Sequence, residues 1–498
     1  MVRGKVNNII LVFDAGTGAG RCLIIDDHGT ILGQAYREWS YAEVPNAPGG
    51  LDLDAPGFLE ILLQTGRQVL QESGISRSAV KAIAITSQRE GVVFLDKNGQ
   101  VLYAGPNFDG RAWKEGEHLA SVHGKQIYFT SGSYPPMYGI PARLLWFKEN
   151  QPQVFSKIES TLTLGDWIAF ALTGEKLTEP SLAAGTALLD MHTRQWSEEL
   201  ARMAGMPLNW LPPVFDTGTH SGKLLADIAS RLNLDEIPVV LAGGDTQCAM
   251  LGMGLTSPND FGCISGTTSP VQLLTAEPIF DEHMRTYTTC HNLPDTWVLE
   301  SNAVVTGLAL RWLKENLGNG ASYDELNTRA GSVPPGSRGT FAFLGAEILN
   351  LPEYKSSWTG GFLFSCPPSQ IGLPEFYRAA LESNCYAVRG NIEQLVEISG
   401  IKPNTLHVCG GQVSSSLFTS ILSNVTQLPL EIHSQQATAI GAAIAAAVTS
   451  GTYSGFAEAV HHMTSGSTLI VPDQSISSEY EPLYQKWLTM YAHVRLLN

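Results

Sequence analysis

Apolar positions alternate or run together in short blocks along the first forty residues, which predicts strands rather than helices. Ile9–Phe13, Cys22–Asp26 and Ile31–Trp39 are separated by a glycine turn and by Asp27-His28-Gly29, so the chain opens as an antiparallel meander. The period then changes. Phe58, Leu62, Val69 and Leu70 recur at helical spacing, and Ala82–Thr86 follows as a buried strand. Val92–Leu95 and Val101–Tyr103, on either side of Asp96-Lys97-Asn98-Gly99, predict a hairpin.

Some 250 residues later the opening repeats in outline. Phe261–Ser265, Gly266-Thr267-Thr268-Ser269 and Val271–Leu274 again read strand, Gly-Thr turn, strand. Thr405–Cys409 is a short strand ending in Gly410-Gly411, a helical run surrounds Leu417, Ile421 and Leu422, and 480–497 reads as a closing helix. Two halves that open alike predict a duplicated α/β unit. Residues 1–253 and 254–498 are the expected lobes, divided at the loop that begins with Gly254.

Composition narrows the classes. The 498 residues carry 31 Lys and Arg against 47 Asp and Glu, a net charge of −16, which opposes a role in coating nucleic acid or anionic membrane. Apolar residues at 44 % exclude a disordered chain. Seven widely spaced cysteines without a C-x-x-C predict reduced thiols. Arg3 and Lys5 precede an apolar run that Asp14 interrupts too early for a signal peptide, and 437–448 is too short to span a bilayer. The expectation is a cytoplasmic protein, without nucleic-acid or membrane partners and compatible with a homodimer.

Candidate chemistry sits at the turns. The glycines of Asp14-Ala15-Gly16-Thr17-Gly18-Ala19-Gly20-Arg21 are spaced G-x-G-x-G and lead into a strand. A dinucleotide-binding loop needs G-x-G-x-x-G opening a helix, so that reading fails. Two readings remain. Either this is an ordinary glycine hairpin, or backbone N–H groups and the Thr17 hydroxyl embrace phosphate while Asp14 faces Mg²⁺. The matching Gly266-Thr267 turn favours the second, because two facing turns can clamp a nucleotide. No Walker A frame surrounds Gly222-Lys223. Gly243-Gly244-Asp245-Thr246-Gln247 follows an apolar strand, where a carboxylate suits a general base on a hydroxyl; a helix-capping Asp is the alternative. Gln88-Arg89-Glu90 could hold hydroxyls or be a surface ion pair. His461-His462 lack metal-ligand spacing.

Together these segments resemble the FGGY carbohydrate kinases, of the sugar kinase/actin/heat-shock ATPase superfamily, over nearly the whole chain. Asp14, Gly16, Thr17 and Arg21 match the first phosphate motif, D-x-G-T-x-x-x-R; Asp109 and Arg111 match D-x-R. The stretches 165–175 and 181–190, Gly243-Gly244-Asp245, Gly266-Thr267, 409–414 and the Ala-rich 437–443 follow in the family's order. Gln412, Phe418, Asn424 and Gln436 depart from its pattern. Arg89-Glu90-Gly91, Gly244-Asp245-Thr246-Gln247, 306–312 and 333–337 look most like the autoinducer-2 kinase branch.

The resemblance implies a two-lobed, actin-like (ribonuclease H-like) ATPase fold with duplicated mixed sheets around a cleft. It also implies phosphoryl transfer from Mg-ATP to a terminal hydroxyl of a small linear keto-sugar or polyol, such as autoinducer-2 (4,5-dihydroxy-2,3-pentanedione). Asp245 would be the base and Asp14 would hold Mg²⁺ through water. Arg89, Glu90, Asp245, Thr246, Gln247 and Tyr138 would meet the substrate. Gly16, Thr17, Gly18, Arg21, Gly266, Thr267, Gly410, Gly411 and Gln412 would meet ATP. The alternatives are a xylulokinase or another pentulose or polyol kinase and, in a different class, an actin- or heat-shock-type ATPase without a sugar substrate.

Overall fold

A computed structural model of the chain describes residues 8–134, 136–220, 222–354, 359–464 and 466–497. Arg3 and Lys5 lie outside them. The meander forms as its alternation predicts: β1 (Ile9–Ala15), β2 (Ala19–Asp26) and β3 (Ile31–Glu38) pair antiparallel. Helix α1 (Ala55–Ser73) begins at Asp54, whose carboxylate accepts the Gly57 N–H at 3.2 Å, and stops at Gly74 with φ of 64°. β4 (Val80–Ser87) joins β1 in parallel. β5 (Gly222–Lys223) and β6 (Pro238–Gly244) complete the order β5-β6-β4-β1-β2-β3.

The second sheet is built from β7 (Phe261–Ile264), β8 (Pro270–Thr275), β9 (Tyr287–Cys290), β10 (Trp297–Asn302), β11 (Leu406–Cys409), β12 (Leu430–Ile432) and β13 (Thr468–Ile470). Its order is β9-β10-β8-β7-β11-β12-β13. With β9 set aside, every neighbour and every direction repeats the first sheet. β7–β8 and β8–β10 are antiparallel, β7–β11 and β11–β12 parallel, β12–β13 antiparallel. This is the duplicated α/β architecture expected from the two Gly-Thr openings.

Strand alternation gives each sheet two apolar faces. In the first, Leu11, Phe13, Ile24, Ile83 and Leu241 pack against Phe58, Leu62 and Val69 of α1. The opposite face, Ile10, Val12, Leu23, Ala84 and Val240, packs against α5 (Ala437–Thr449), which comes from the second half of the sequence. The second sheet buries Cys263, Leu273, Leu299 and Val408 beneath α3 (Leu373–Ser399) and α4 (Ser416–Thr426). α6 (Gln474–Arg495) closes that core with Tyr480, Tyr484 and Trp487.

The alanines of α5 have a specific use. α5 crosses α2 (Asp245–Gly252) so closely that a Cβ on Gly441 would lie 1.8 Å from the Cys248 carbonyl oxygen. One on Gly252 would lie 1.9 Å from that of Ala437. The two halves therefore meet backbone to backbone, through the helix that carries Asp245. All seven cysteines are free thiols, and no helix among the described residues is long and apolar enough to cross a membrane.

Candidate active site

The first Gly-Thr turn is held from behind by side chains. Gly16 N–H donates to the Ala19 carbonyl at 3.1 Å, closing the turn. The Gln88 amide, fully buried, donates to the Gly16 carbonyl at 3.2 Å and accepts the Asn107 N–H at 2.9 Å. Tyr41 and Trp39 both donate to the Thr17 carbonyl. Gln88, read from the sequence only as a neighbour of Arg89 and Glu90, thus fixes the turn itself.

The second turn is held mainly by backbone. Gly266 N–H reaches the Thr268 carbonyl at 2.9 Å, and the Ser265 carbonyl accepts from Gln412 N–H at 3.0 Å. Gly410, at φ 99°, approaches Ser265 so closely that a Cβ would sit 2.5 Å from its carbonyl oxygen. The Gln412 side chain donates to the Gly266 carbonyl at 2.9 Å and to the Thr306 hydroxyl at 3.1 Å. The Gly266-Thr267 turn and the Gly410-Gly411-Gln412 segment, both expected to meet ATP, are therefore in direct contact.

Both turns leave room in front. A Cβ on Gly18 or Gly411 would meet nothing within 4 Å, and one on Gly266 only the Thr268 carbonyl oxygen at 4.0 Å. Packing inside the protein does not demand glycine at these positions, whereas close approach of a polyanion to backbone N–H groups does.

Two carboxylates end strands of the first sheet. Asp14, only 8 % exposed, is pushed up to about 6, chiefly by burial, with Arg21 opposing and Asp245 adding to the shift. Asp245 starts α2, and its Oδ1 accepts the Thr246 N–H at 2.9 Å. Its pKa is also raised by burial, opposed by Arg89 and that backbone bond, and raised further by Glu300. A buried and a half-buried carboxylate within electrostatic reach of each other suit a divalent cation.

Arg89 takes a partner that the sequence reading did not foresee. Its guanidinium forms a forked pair with Glu300 on β10, Nη1–Oε2 2.9 Å and Nη2–Oε1 3.1 Å, rather than a surface pair with Glu90. Glu300 is 1 % exposed and also accepts from Gln272 at 2.6 Å. Gln272 in turn donates to Thr246 at 3.1 Å, and Thr246 donates to Gln247 at 3.0 Å. This chain of bonds joins the two halves behind Asp245. Gly244 makes room for it, since a Cβ there would lie 2.7 Å from Gln247 Oε1 and 2.9 Å from Arg89 Cγ. Gln247 is fully buried, behind Thr246.

Glu90 sits at φ 66°, a backbone region that favours glycine. Burial raises its carboxyl, with Arg89 opposing first, Glu300 adding, then Arg143 opposing and Asp245 adding. Tyr138 lies in the same group: burial raises its phenol, followed by Tyr354 and Glu90. Tyr287 on β9, opposite Glu300 in register, is also raised by burial and then by Glu90. Arg143 is wholly buried, and its Nε and Nη1 have no hydrogen-bond partner. Glu300, Tyr287, Tyr354 and Arg143 thus join the expected Arg89, Glu90, Tyr138 and Asp245. Arg21 instead reaches Gln436 Oε1 at 3.0 Å, at the start of α5. Asp109 and Arg111 pair with each other at 2.6 Å in the interior.

Family models for the N-terminal and C-terminal domains of the FGGY family of carbohydrate kinases match residues 9–252 and 262–450. The chain belongs to this family. As an FGGY carbohydrate kinase it is a phosphotransferase acting on a sugar hydroxyl, with ATP the substrate that the family implies. It is 30 % identical over 505 residues to an autoinducer-2 kinase of Salmonella paratyphi B, across 98 % of this chain and 95 % of that one. A ligand-bound xylulose kinase from Lactobacillus acidophilus superposes with a TM-score of 0.88 at 19 % identity, over 98 % of each chain. A Plasmodium falciparum glycerol kinase solved with ADP gives 0.83 at 19 %, over 97 % of this chain and 98 % of that one. These structures establish the two-domain actin-like fold for the FGGY chain.

Proposed function

We propose that this FGGY kinase transfers the γ-phosphoryl group of Mg-ATP to a terminal hydroxyl of autoinducer-2 (4,5-dihydroxy-2,3-pentanedione) or a close linear analogue. The observation that carries the chemistry is the Asp245 carboxylate, which starts α2 at the end of β6 within electrostatic reach of Arg89, Glu300 and Asp14. The substrate class is supported by the autoinducer-2 kinases that match almost end to end.

In this reading Asp245 is the base. Thr246 N–H occupies Oδ1, which leaves Oδ2 to take the proton as the hydroxyl oxygen attacks in line. Glu90, Tyr138 and the Arg89–Glu300 pair fix the substrate's oxygens, with Thr246 and Gln247 bracing Asp245 from behind. The turns at Gly16-Thr17-Gly18 and Gly266-Thr267 present N–H and hydroxyl groups to the phosphates, and Gly410-Gly411-Gln412 borders the nucleoside. Asp14 fits Mg²⁺, which when bound would neutralise charge on the transferred phosphate. Arg21 steadies the first turn from its place against Gln436. Free thiols throughout agree with a cytoplasmic reaction.

The test is a phosphorylation screen at equal concentrations of the dione, D-xylulose, D-ribulose, L-ribulose, erythritol and glycerol. The dione is expected to give the highest kcat/KM; preference for xylulose would move the chain to the pentulose kinases. Sugar-independent ATP hydrolysis alone would overturn the kinase reading. Asp245→Asn serves as the control and is expected to lower turnover on the order of 10²-fold or more with ATP still bound.

A further inference from the structure

Outside this site, two histidines and a glutamate converge on the second sheet. His407 on β11 stands opposite Glu431 on β12 in the parallel register, and His433 follows the end of β12, its N–H donating to the Val408 carbonyl at 2.9 Å. Three atoms face one another: His407 Nδ1 and His433 Nε2 at 3.0 Å, His407 Nδ1 and Glu431 Oε2 at 3.6 Å, His433 Nε2 and Glu431 Oε2 at 4.0 Å. A point equidistant from all three lies about 2.1 Å from each, the length of a zinc–nitrogen bond. A hydrogen-bonded imidazole pair would account for the first distance and the Ser467 hydroxyl for one bond to the carboxylate oxygen, whereas one bound ion would account for all three atoms turned to the same point.

We propose that His407, Glu431 and His433 form a binding site for one divalent transition-metal ion of the zinc type, separate from the carboxylates that face the phosphates. Two imidazoles and one carboxylate select a borderline ion; Mg²⁺ prefers oxygen ligands alone. The ligands are set by backbone pairing before any ion arrives. Glu431 Oε2 is further oriented by the Ser467 hydroxyl at 2.8 Å. The glutamate side chain is 35 % exposed, which lets water supply a fourth ligand. An ion here would tie β11 and β12 to the segment that leads into α5, where the two halves meet.

The experiment uses the full-length, tag-free chain, stripped with chelator and titrated calorimetrically with Zn²⁺ under excess Mg²⁺. One Zn²⁺ per chain is expected, and Co²⁺ in its place should give the visible absorption of a four-coordinate site. Glu431→Gln and His433→Gln should each weaken Zn²⁺ about tenfold or more. A His461→Gln/His462→Gln double variant should bind as before. Glu431→Gln keeps the test decisive if the histidine variant does not fold. Absence of stoichiometric binding, or binding unchanged in a folded Glu431→Gln chain, would overturn the assignment.

Discussion

Asp14 is the sixth residue of the first sheet's opening strand, two before Gly16; its counterpart two before Gly266 is Ile264. Asp245 is the first residue after β6 of one sheet, and His433 holds that position after its counterpart, β12, in the other. The helices that follow, α2 and α5, are also counterparts, and they pack on each other. One topology therefore appears twice, with carboxylates at the strand ends of the first sheet and none at those two positions of the second. The turns differ in the same sense. Side chains of Gln88, Tyr41 and Trp39 brace the first, whereas backbone and Gln412 brace the second. Duplication supplies two similar turns; in the proposed reaction the proton-accepting and cation-holding groups are needed on one side only, because a single phosphoryl group moves between them.

Glu300 breaks that division, since it belongs to the second half yet reaches Arg89 in the first. Glu300→Gln is expected to have the largest effect on stability. It removes the forked partner of a guanidinium whose side chain is 18 % exposed, and breaking such a pair typically costs about 3–5 kcal/mol. Chemical denaturation would measure it. A loss below about 1 kcal/mol would mean that water or Glu90 takes over, and that the other contacts between the halves, chiefly α5 against α2 and the first sheet, hold them together without this pair.

Asp14 offers a second way to sharpen the contrast. Its carboxyl is raised from 3.8 to about 6, so the folded chain holds this proton to higher pH than the unfolded chain. The stability from this group is full below about 3.8 and is lost as pH rises through about 6. A cation facing the ionised carboxylate reverses the loss. Half-maximal thermal stabilisation by Mg²⁺ should therefore need roughly tenfold more ion at pH 5 than at pH 7.5. Asp14→Asn should remove the difference. An unchanged pH dependence in that variant would detach Asp14 from the metal.

How much of this could be read in the sequence follows from range. The meander, α1 and the Gly-Thr turns rest on local period and turn chemistry, and they form where Ile9–Phe13, Phe58–Leu70 and Gly266-Thr267 place them. Asp14 and Asp245 could be placed at strand ends because each adjoins a glycine turn where an apolar run stops. Glu300 was not. It lies in a strand of ordinary pattern, and its pairing with Arg89 spans 211 residues. Tyr287 and Tyr354 were hidden for the same reason. Nor did the alanines of 437–449 reveal that their helix would cover the other half's sheet. The one available signal was their small size, which permits close backbone approach without naming the neighbour.

The smallest expected effect concerns Arg21 and Gln436, another bond between the halves. Here the family usually has a glutamate, and this chain makes a neutral-acceptor hydrogen bond at 3.0 Å on an exposed surface. Gln436→Glu would turn it into an ion pair worth under about 1 kcal/mol, since water screens both groups. Thermal unfolding should shift upward slightly, less so at high salt. KM for ATP is expected to stay unchanged, because in the proposed site backbone N–H groups face the phosphates and Arg21 stays against Gln436. A rise in that KM of about tenfold, with the stability gain intact, would show that Arg21 must leave Gln436 to serve the nucleotide. The first turn would then rely on a mobile cation that the second turn lacks, and the asymmetry between the halves would extend from the carboxylates to the phosphate cradle itself.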